Sequence, residues 1–374
     1  MMHESLRENS TWSEYLAVLP TKLDSLVFWS AAELEELQAS AVLNKIGKAH
    51  AEALFGEKGL PLLTKGGSID NFHHMASTVM AYAFDIPEDN LEDGDKDDSG
   101  EELVLDDEMN DPKTILSMVP LADMLNADAD MNNARLICNE EHLEMRTIKP
   151  ILKGEEVLND YGLLPRSDLL RRYGFVTDNY AIYDVVEIST ASIVSAFQKI
   201  LNLDNQATAL EPLGAGEVDD RLDLARREDV LDESYDISHK GSEGTCFQDG
   251  MISLIYLLLI NSNSLQSIKI TDADMPRRSK METELLGQVL VAILRQRYQD
   301  YSTTLEQDSA ILETENIPAR KMMAVKVRHG EKAVLQEAII EAASFRGSND
   351  RMRIYPSTRE AGQIPKPPKR SRHR

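Results

Sequence analysis

The sequence predicts an α+β protein, and three observations carry that prediction. Residues 26–55 are rich in Leu, Ala and Glu and open on a helix-start signal. Residues 115–188 are short apolar runs cut by turn residues, the pattern of short strands. After about Ser189 the apolar residues recur at helical spacing in four separate stretches. The result is a strand-and-turn domain with a helical portion, followed by a mainly α-helical second domain.

The bulk properties bound the class. A chain of 374 residues is long enough for two domains with their own cores. Apolar residues make up 42% and charged residues 28%, the balance of a soluble globular protein. Residues 1–10 are polar and charged, which does not read as a signal peptide. The longest apolar run, residues 251–260, is about half of what a membrane-spanning helix needs, so a buried helix is expected and no membrane partner. The two cysteines, Cys138 and Cys246, lie far apart without CxxC or HExxH patterns. Neither a disulfide framework nor a metal site is expected, and a reducing compartment follows. The net charge of −24 repels nucleic acid, so direct nucleic-acid binding is not expected. Such a charge either steers basic partners to the surface or serves solubility alone; composition leaves both open.

Along the chain, Ser30 and Glu33 form a capping box at the head of a helix expected over residues 26–55. Residues 77–84 are a short apolar run that periodicity cannot type. Residues 85–111 turn abruptly to Asp, Glu and Gly, a composition expected to form a disordered acidic loop. The stretches 134–138 and 143–148 flank a polar tetrapeptide and predict a hairpin, and Lys153-Gly154 predicts a turn before Val157-Leu158. Helices are expected over 191–203, 249–261, 282–305 and 331–345. Residues 364–374 are Pro-rich and basic and read as a disordered tail. The expected domains are 1–188, 189–345 and a basic tail over 346–374.

Two segments stand out chemically. The first is MVPLADMLN at 118–126 with Ala127 and Asp128, a strand-like run ending on an Asn that offers a donor and an acceptor together. The second is LNDYG at 158–162, followed by LLRRYGFV at 169–176, which pairs two Tyr-Gly steps across a short helix. Alone, Asn126 reads as a turn residue and Tyr-Gly as a strand end.

Together and in this order, MVPLADMLN, KGEEVLNDYG and LLRRYGFV resemble the C-terminal half of the SET domain, in the branch of Rubisco large-subunit and ribosomal-protein lysine methyltransferases, with fungal ribosomal lysine methyltransferases especially similar. Trp12 to Pro20 and Phe28-Trp29-Ser30 resemble that branch's helical insert, and residues 81–84 its entry to the cofactor pocket. The part after Ser189 resembles its substrate-binding domain. The resemblance implies a SET fold in which the Asn126 and Tyr161 segments thread as a pseudoknot, an exception to ordinary connection rules. It implies Tyr161 as the catalytic tyrosine and Tyr82, Asn126, Ala127 and Tyr173 as the residues around S-adenosylmethionine. Trp12 and Ala83 would meet the substrate, a lysine of a basic protein of the ribosomal class. An aromatic channel would help the amine arrive neutral, through desolvation and repulsion by the adjacent sulfonium, with no metal and no general-base carboxylate required. Many relatives carry histidine where Ala127 stands.

Domains of this branch open with several strands and a Gly-x-Gly turn. Here the helical-insert resemblance begins at about Ser10, which implies a partial SET domain lacking those strands. The Gly-x-Gly at Gly214-Ala215-Gly216 follows Tyr161 and reads as an ordinary loop. Two rival functions stand beside the enzyme: an inactive SET remnant that binds a basic partner, and a generic helical scaffold, which the motif pair argues against. The basic run at residues 366–374 resembles a nuclear-import signal, so nucleus, with cytoplasm second, is the expected location; a tail with no address fits equally.

Overall fold

The computed structural model describes residues 1–59, 67–88, 113–139, 142–202, 213–214, 216–241, 244–271 and 275–354. Most of the acidic stretch 85–111 and all of 364–374 lie outside the described residues, so the disorder expected there is not addressed. The chain divides into two compact units, Met1–Val186 with Asp300–Val334, and Glu187–Gln299 with Leu335–Arg374. The first unit thus takes back residues 300–334, which the sequence reading had assigned wholly to the helical domain. A run of helical periodicity says which face is apolar but not which core receives it.

In the first unit, the segment expected as one helix over 26–55 is broken. The capping box is present, with the Ser30 hydroxyl accepting from the Glu33 N–H and the Glu33 side chain accepting from the Ser30 N–H. Yet the helix it opens is only Ala31–Glu35, and a one-turn 3-10 helix at Ala41–Lys45 and the helix Lys48–Leu54 follow. Left-handed backbone at Gln38 and Gly47 makes the breaks. Burial explains them: Leu26, Trp29, Leu37 and Val42 converge on one cluster with Leu170, Ala324 and Val327. A straight helix, rising about 1.5 Å per residue, would string those side chains out over roughly 24 Å.

The untyped run around residue 80 is the end of helix Ile69–Tyr82 and the start of strand Ala83–Pro87. That strand pairs antiparallel with Thr114–Met118, in the register Ala83 to Met118 and Pro87 to Thr114. The first acidic residues thus belong to a strand. The predicted hairpin is present as Ala134–Cys138 against Leu143–Thr147. The short helix between the Tyr-Gly steps is Arg166–Tyr173. Its first residue is anchored by Asp184, which accepts from the Arg166 N–H at 3.0 Å and from Nε at 2.9 Å. Helix Ala319–Ala342 approaches that pair at Gly330, where any Cβ would overlap the Asp184 carboxylate and the Arg166 guanidinium.

The Asp300–Val334 segment carries a buried charged network. Asp308 is fully buried and accepts from Thr303 at 2.8 Å, from Arg328 Nε at 3.1 Å and Nη2 at 3.0 Å, and from Lys332. Glu331, next to Lys332 on helix Ala319–Ala342, accepts from Ser40 at 2.5 Å and Tyr301 at 2.7 Å.

The second unit is mainly helical. Asp249–Leu259 is buried at every position from Met251 on, as its unbroken apolar run predicts. It packs against Glu217–Arg227, and Glu284–Gln299 packs against Thr190–Asn202. A strand pair that the sequence does not predict, Val185–Ser189 with Ser234–Ser238, is also present. Residues 346–354, expected in the tail, are paired instead: Gly347 bridges Thr283, and Met352 bridges Ile260.

Two outcomes test this packing. Gly174 ends helix Arg166–Tyr173 in left-handed conformation, and a Cβ there would sit 2.7 Å from the backbone of Asp24 and Ser25. Gly174→Ala should therefore destabilise the fold by at least ~1 kcal/mol, read as a lower melting temperature, since neither strain nor overlap can relax cheaply. At Asp308, burial alone would raise the carboxyl pKa, but hydrogen bonds from Arg328, Lys332 and Thr303 outweigh it and hold the group below its ordinary value. A depressed folded pKa means stability that is present above about pH 4 and lost as pH falls through the folded value. Asp308→Asn should cost about 3–5 kcal/mol at neutral pH, because it strands two buried cations, and should flatten the acid limb of a pH–stability curve.

Candidate active site

The first motif is not one strand. Thr114–Met118 is extended, but Leu121 takes a φ of +76° and Ala122–Met124 makes a single 3-10 turn, closed by the Met124 N–H on the Leu121 carbonyl at 3.3 Å and the Leu125 N–H on the Ala122 carbonyl at 3.2 Å. Pro120 has no N–H to continue a ladder, so the chain turns there. It becomes extended again at Leu125, and Asn126 to Asp128 then run beside the second motif. The Asn159 N–H donates to the Asn126 carbonyl at 2.8 Å and the Asp128 N–H to the Asn159 carbonyl at 3.1 Å. Ala127 and Asn159 form a parallel bridge.

Asn133 clamps the same segment from the other side. Its Oδ1 accepts from the Leu158 N–H at 2.8 Å, its Nδ2 donates to the Glu156 carbonyl at 2.9 Å, and the N–H groups of Asn133 and Ala134 share the Leu158 carbonyl. Residues 156–159 are therefore held between two backbone segments.

This clamp aims the tyrosines. The rings of Tyr161 and Tyr173 stack with centroids 4.3 Å apart and planes inclined 13°. The Tyr161 hydroxyl donates to the Leu125 carbonyl at 3.1 Å, directly before Asn126. Burial, then the neighbouring phenols of Tyr173, Tyr82 and Tyr180 and the carboxylate of Asp123, push the Tyr161 phenol well above its ordinary pKa near 10. Tyr82 closes the helix Ile69–Tyr82, and its own phenol is raised by burial and by Asp123. Ala83, the next residue, begins the strand paired to Met118. Asn126 is exposed, and its Nδ2 donates to Glu156 Oε1 at 2.6 Å; Ala127 is half-buried. Trp12 is 51% exposed and meets the edge of the Tyr15 ring, with centroids 6.3 Å apart. The Tyr15 hydroxyl donates to Asp123.

The structure thus gathers Tyr82, Asn126, Ala127, Tyr161 and Tyr173 around one turn, and links Trp12 to it through Tyr15 and Asp123. Sequence reasoning passed over Tyr15, Asp123, Asn133 and Glu156. Asp123 was legible only as one carboxylate inside an apolar run, and the others carry no local signal.

A raised pKa keeps the Tyr161 hydroxyl protonated through the neutral and mildly alkaline range, where it remains a donor. In an ultraviolet titration, Tyr161→Phe should remove a phenol that ionises late and leave the tyrosinate rise near pH 10 unchanged. Loss of absorbance in that early rise would contradict the burial of this ring.

Known proteins resemble this chain in both sequence and fold. The model of the SET domain matches residues 7–162, and that of the Rubisco LSMT substrate-binding domain matches residues 215–335. Ribosomal lysine N-methyltransferase 4 of Saccharomyces cerevisiae is 34% identical over 214 residues, which are 54% of this chain and 43% of that protein. The match therefore spans less than half of that relative's length. N-lysine methyltransferase SETD6 of Homo sapiens is 25% identical over 377 residues, covering 91% of this chain and 72% of that protein. In fold, the SET domain of LSMT bound to methyllysine and AdoHcy superposes with a TM-score of 0.65 at 21% identity, over 96% of this chain and 77% of that one. The chain thus carries a region similar to a SET domain followed by a region similar to a Rubisco LSMT substrate-binding domain, and its relatives over these regions are described as lysine methyltransferases.

Proposed function

We propose that this chain transfers a methyl group from S-adenosylmethionine to the ε-amine of a lysine on a basic protein, with a large-subunit ribosomal protein as the substrate. The observation that carries the reading is the stacked Tyr161–Tyr173 pair with the Tyr161 hydroxyl held at the backbone next to Asn126. The name of the yeast relative supports the ribosomal substrate, and the net charge of −24 suits a basic one.

The residues present fit the donor. Asn126 and Glu156 put an amide and a carboxylate on an exposed edge, a match for the amino-acid end of the molecule. Tyr173 and Tyr82 supply aromatic walls, and the extended backbone at Ala127 adds polar groups. When bound, S-adenosylmethionine supplies a methyl group on a sulfonium, ready to leave in line. The protein's own part is alignment and desolvation. Tyr161 orients the amine lone pair, while the buried aromatic surround disfavours the ammonium form of a group whose free pKa is near ~10.4. Trp12 and Ala83 would line the approach of the substrate. A nuclear location, with residues 366–374 as import signal, belongs to the same proposal.

Tyr161→Phe keeps the ring stack and removes the hydroxyl. Turnover on ribosomal protein extract with labelled donor should fall roughly 100-fold, because the hydroxyl acts mainly in the transition state. Donor affinity by calorimetry should change less than about threefold. Tyr173→Phe should weaken donor binding more than the chemical step. No incorporation by the unaltered chain would leave the inactive binding protein as the better reading. If charge steers the substrate, its association should also slow as salt shortens the reach of the field to ~8 Å.

A further inference from the structure

The helical unit buries an arginine that its own neighbours do not satisfy. Arg221 lies on helix Glu217–Arg227, which packs against helix Asp249–Leu259, and it is 1% exposed. Its Nη1 donates to the Leu257 carbonyl near the end of the second helix, where the helix dipole favours a cation. That bond uses one nitrogen of three. Nε and Nη2 are buried and donate to no group among the described residues. Arg353, also buried, is close enough for like-charge repulsion, and its backbone N–H donates to the Leu259 carbonyl at 2.9 Å. Burial first, and Arg353 second, push the Arg221 pKa down to about 10, which still leaves it charged at neutral pH. Two carboxylates of the same helix, Glu217 and Asp220, stand near enough to favour that charge. Neither reaches Nε or Nη2, and Glu217 instead accepts from the Gly214 N–H at 2.5 Å.

The unused donors form the edge by which a guanidinium grips an anion with two oxygens. Nε–H and one N–H of Nη2 point the same way, at a spacing that matches a carboxylate or a phosphate. This chain uses that edge twice elsewhere on buried arginines. Arg166 sets Nε and Nη2 on Asp184 at 2.9 and 2.5 Å, and Arg328 sets them on Asp308 at 3.1 and 3.0 Å. At Arg221 the same edge is equally buried, with no carboxylate on it. A guanidinium so placed is strongly disfavoured unless an anion meets it. We propose that the Nε/Nη2 edge of Arg221 is a binding site for a small oxyanion, the carboxylate or phosphate group of a low-molecular-weight ligand. Arg353 adds a second positive charge, while Glu217 and Asp220 offset part of the total. That balance suits one small anion and not a polyanion. Nothing in this assignment depends on the methyl transfer proposed above.

Thermal melting of the full chain tests the site, with sodium phosphate and sodium acetate as separate probes against sodium chloride at equal ionic strength. At least one probe should raise the melting temperature, by about 2 °C or more at roughly ten times its Kd. A buried ion pair is little screened, so the gain should persist in ~0.15 M chloride. Whichever probe acts identifies the headgroup that fits. Arg221→Lys keeps the charge but loses the two-donor edge, so its apparent affinity for that probe should fall about tenfold or more. Arg221→Met removes the cation and should abolish the gain. Nuclear magnetic resonance of the unaltered chain reads the same contact without a variant: the Arg221 Nε–H signal should move with the probe and stay still with chloride. No gain over chloride from either probe, an equal gain in Arg221→Met and the unaltered chain, or an Nε–H signal that neither probe moves would each overturn the site.

Discussion

The site depends on one piece of backbone pairing, the contact of Asn126–Ala127–Asp128 with Asn159. Two N–H···O bonds and one parallel bridge join segments about thirty residues apart in the chain. Each such bond adds only about 0.5–1.5 kcal/mol net, but breaking one inside the protein leaves a desolvated polar group, which costs more. The side chain of Asn133 makes the arrangement harder to slip, since it bonds both Leu158 and Glu156. A shift of one residue would break all of these contacts together and turn Tyr161 to the opposite face.

From that pairing the rest of the active site follows in short steps. Gly162, with φ of +89°, lets the chain leave Tyr161 sharply, and helix Arg166–Tyr173 returns Tyr173 to stack on it. The Arg166–Asp184 pair pins the start of this helix, and Gly174 ends it against the backbone of Asp24 and Ser25. The Asp308 network stiffens the Asp300–Val334 segment, which contributes Ala324 and Val327 to the cluster beneath Leu170. Aromatic alignment at the site is thus supported by buried charge pairing elsewhere in the same unit.

The electrostatics of the site have a consistent direction. Tyr82, Tyr161 and Tyr173 all have phenols raised by burial, so the wall is neutral at physiological pH. In the methyl transfer proposed above, such a wall would disfavour a charged amine and retain a neutral one. Asp123 is the exception in that wall, an acidic group among phenols that accepts from the Tyr15 hydroxyl.

Sequence alone determined the elements whose cause is local. The hairpin at Ala134–Cys138 and Leu143–Thr147, the Ser30–Glu33 capping box and the buried helix Asp249–Leu259 were legible from alternation, caps and apolar runs, whereas the two motifs were legible as a site only by resemblance. Only the tertiary structure decided what those elements meet. It broke residues 26–55 into short turns, because Leu26, Trp29, Leu37 and Val42 had to reach one cluster. It returned Asp300–Val334 to the first unit, and it paired Tyr15 with Asp123 across 108 residues of chain. Periodicity records which face of a segment avoids water, whereas the partner of that face is set by long-range packing and by the desolvation of buried polar groups, neither of which leaves a local mark.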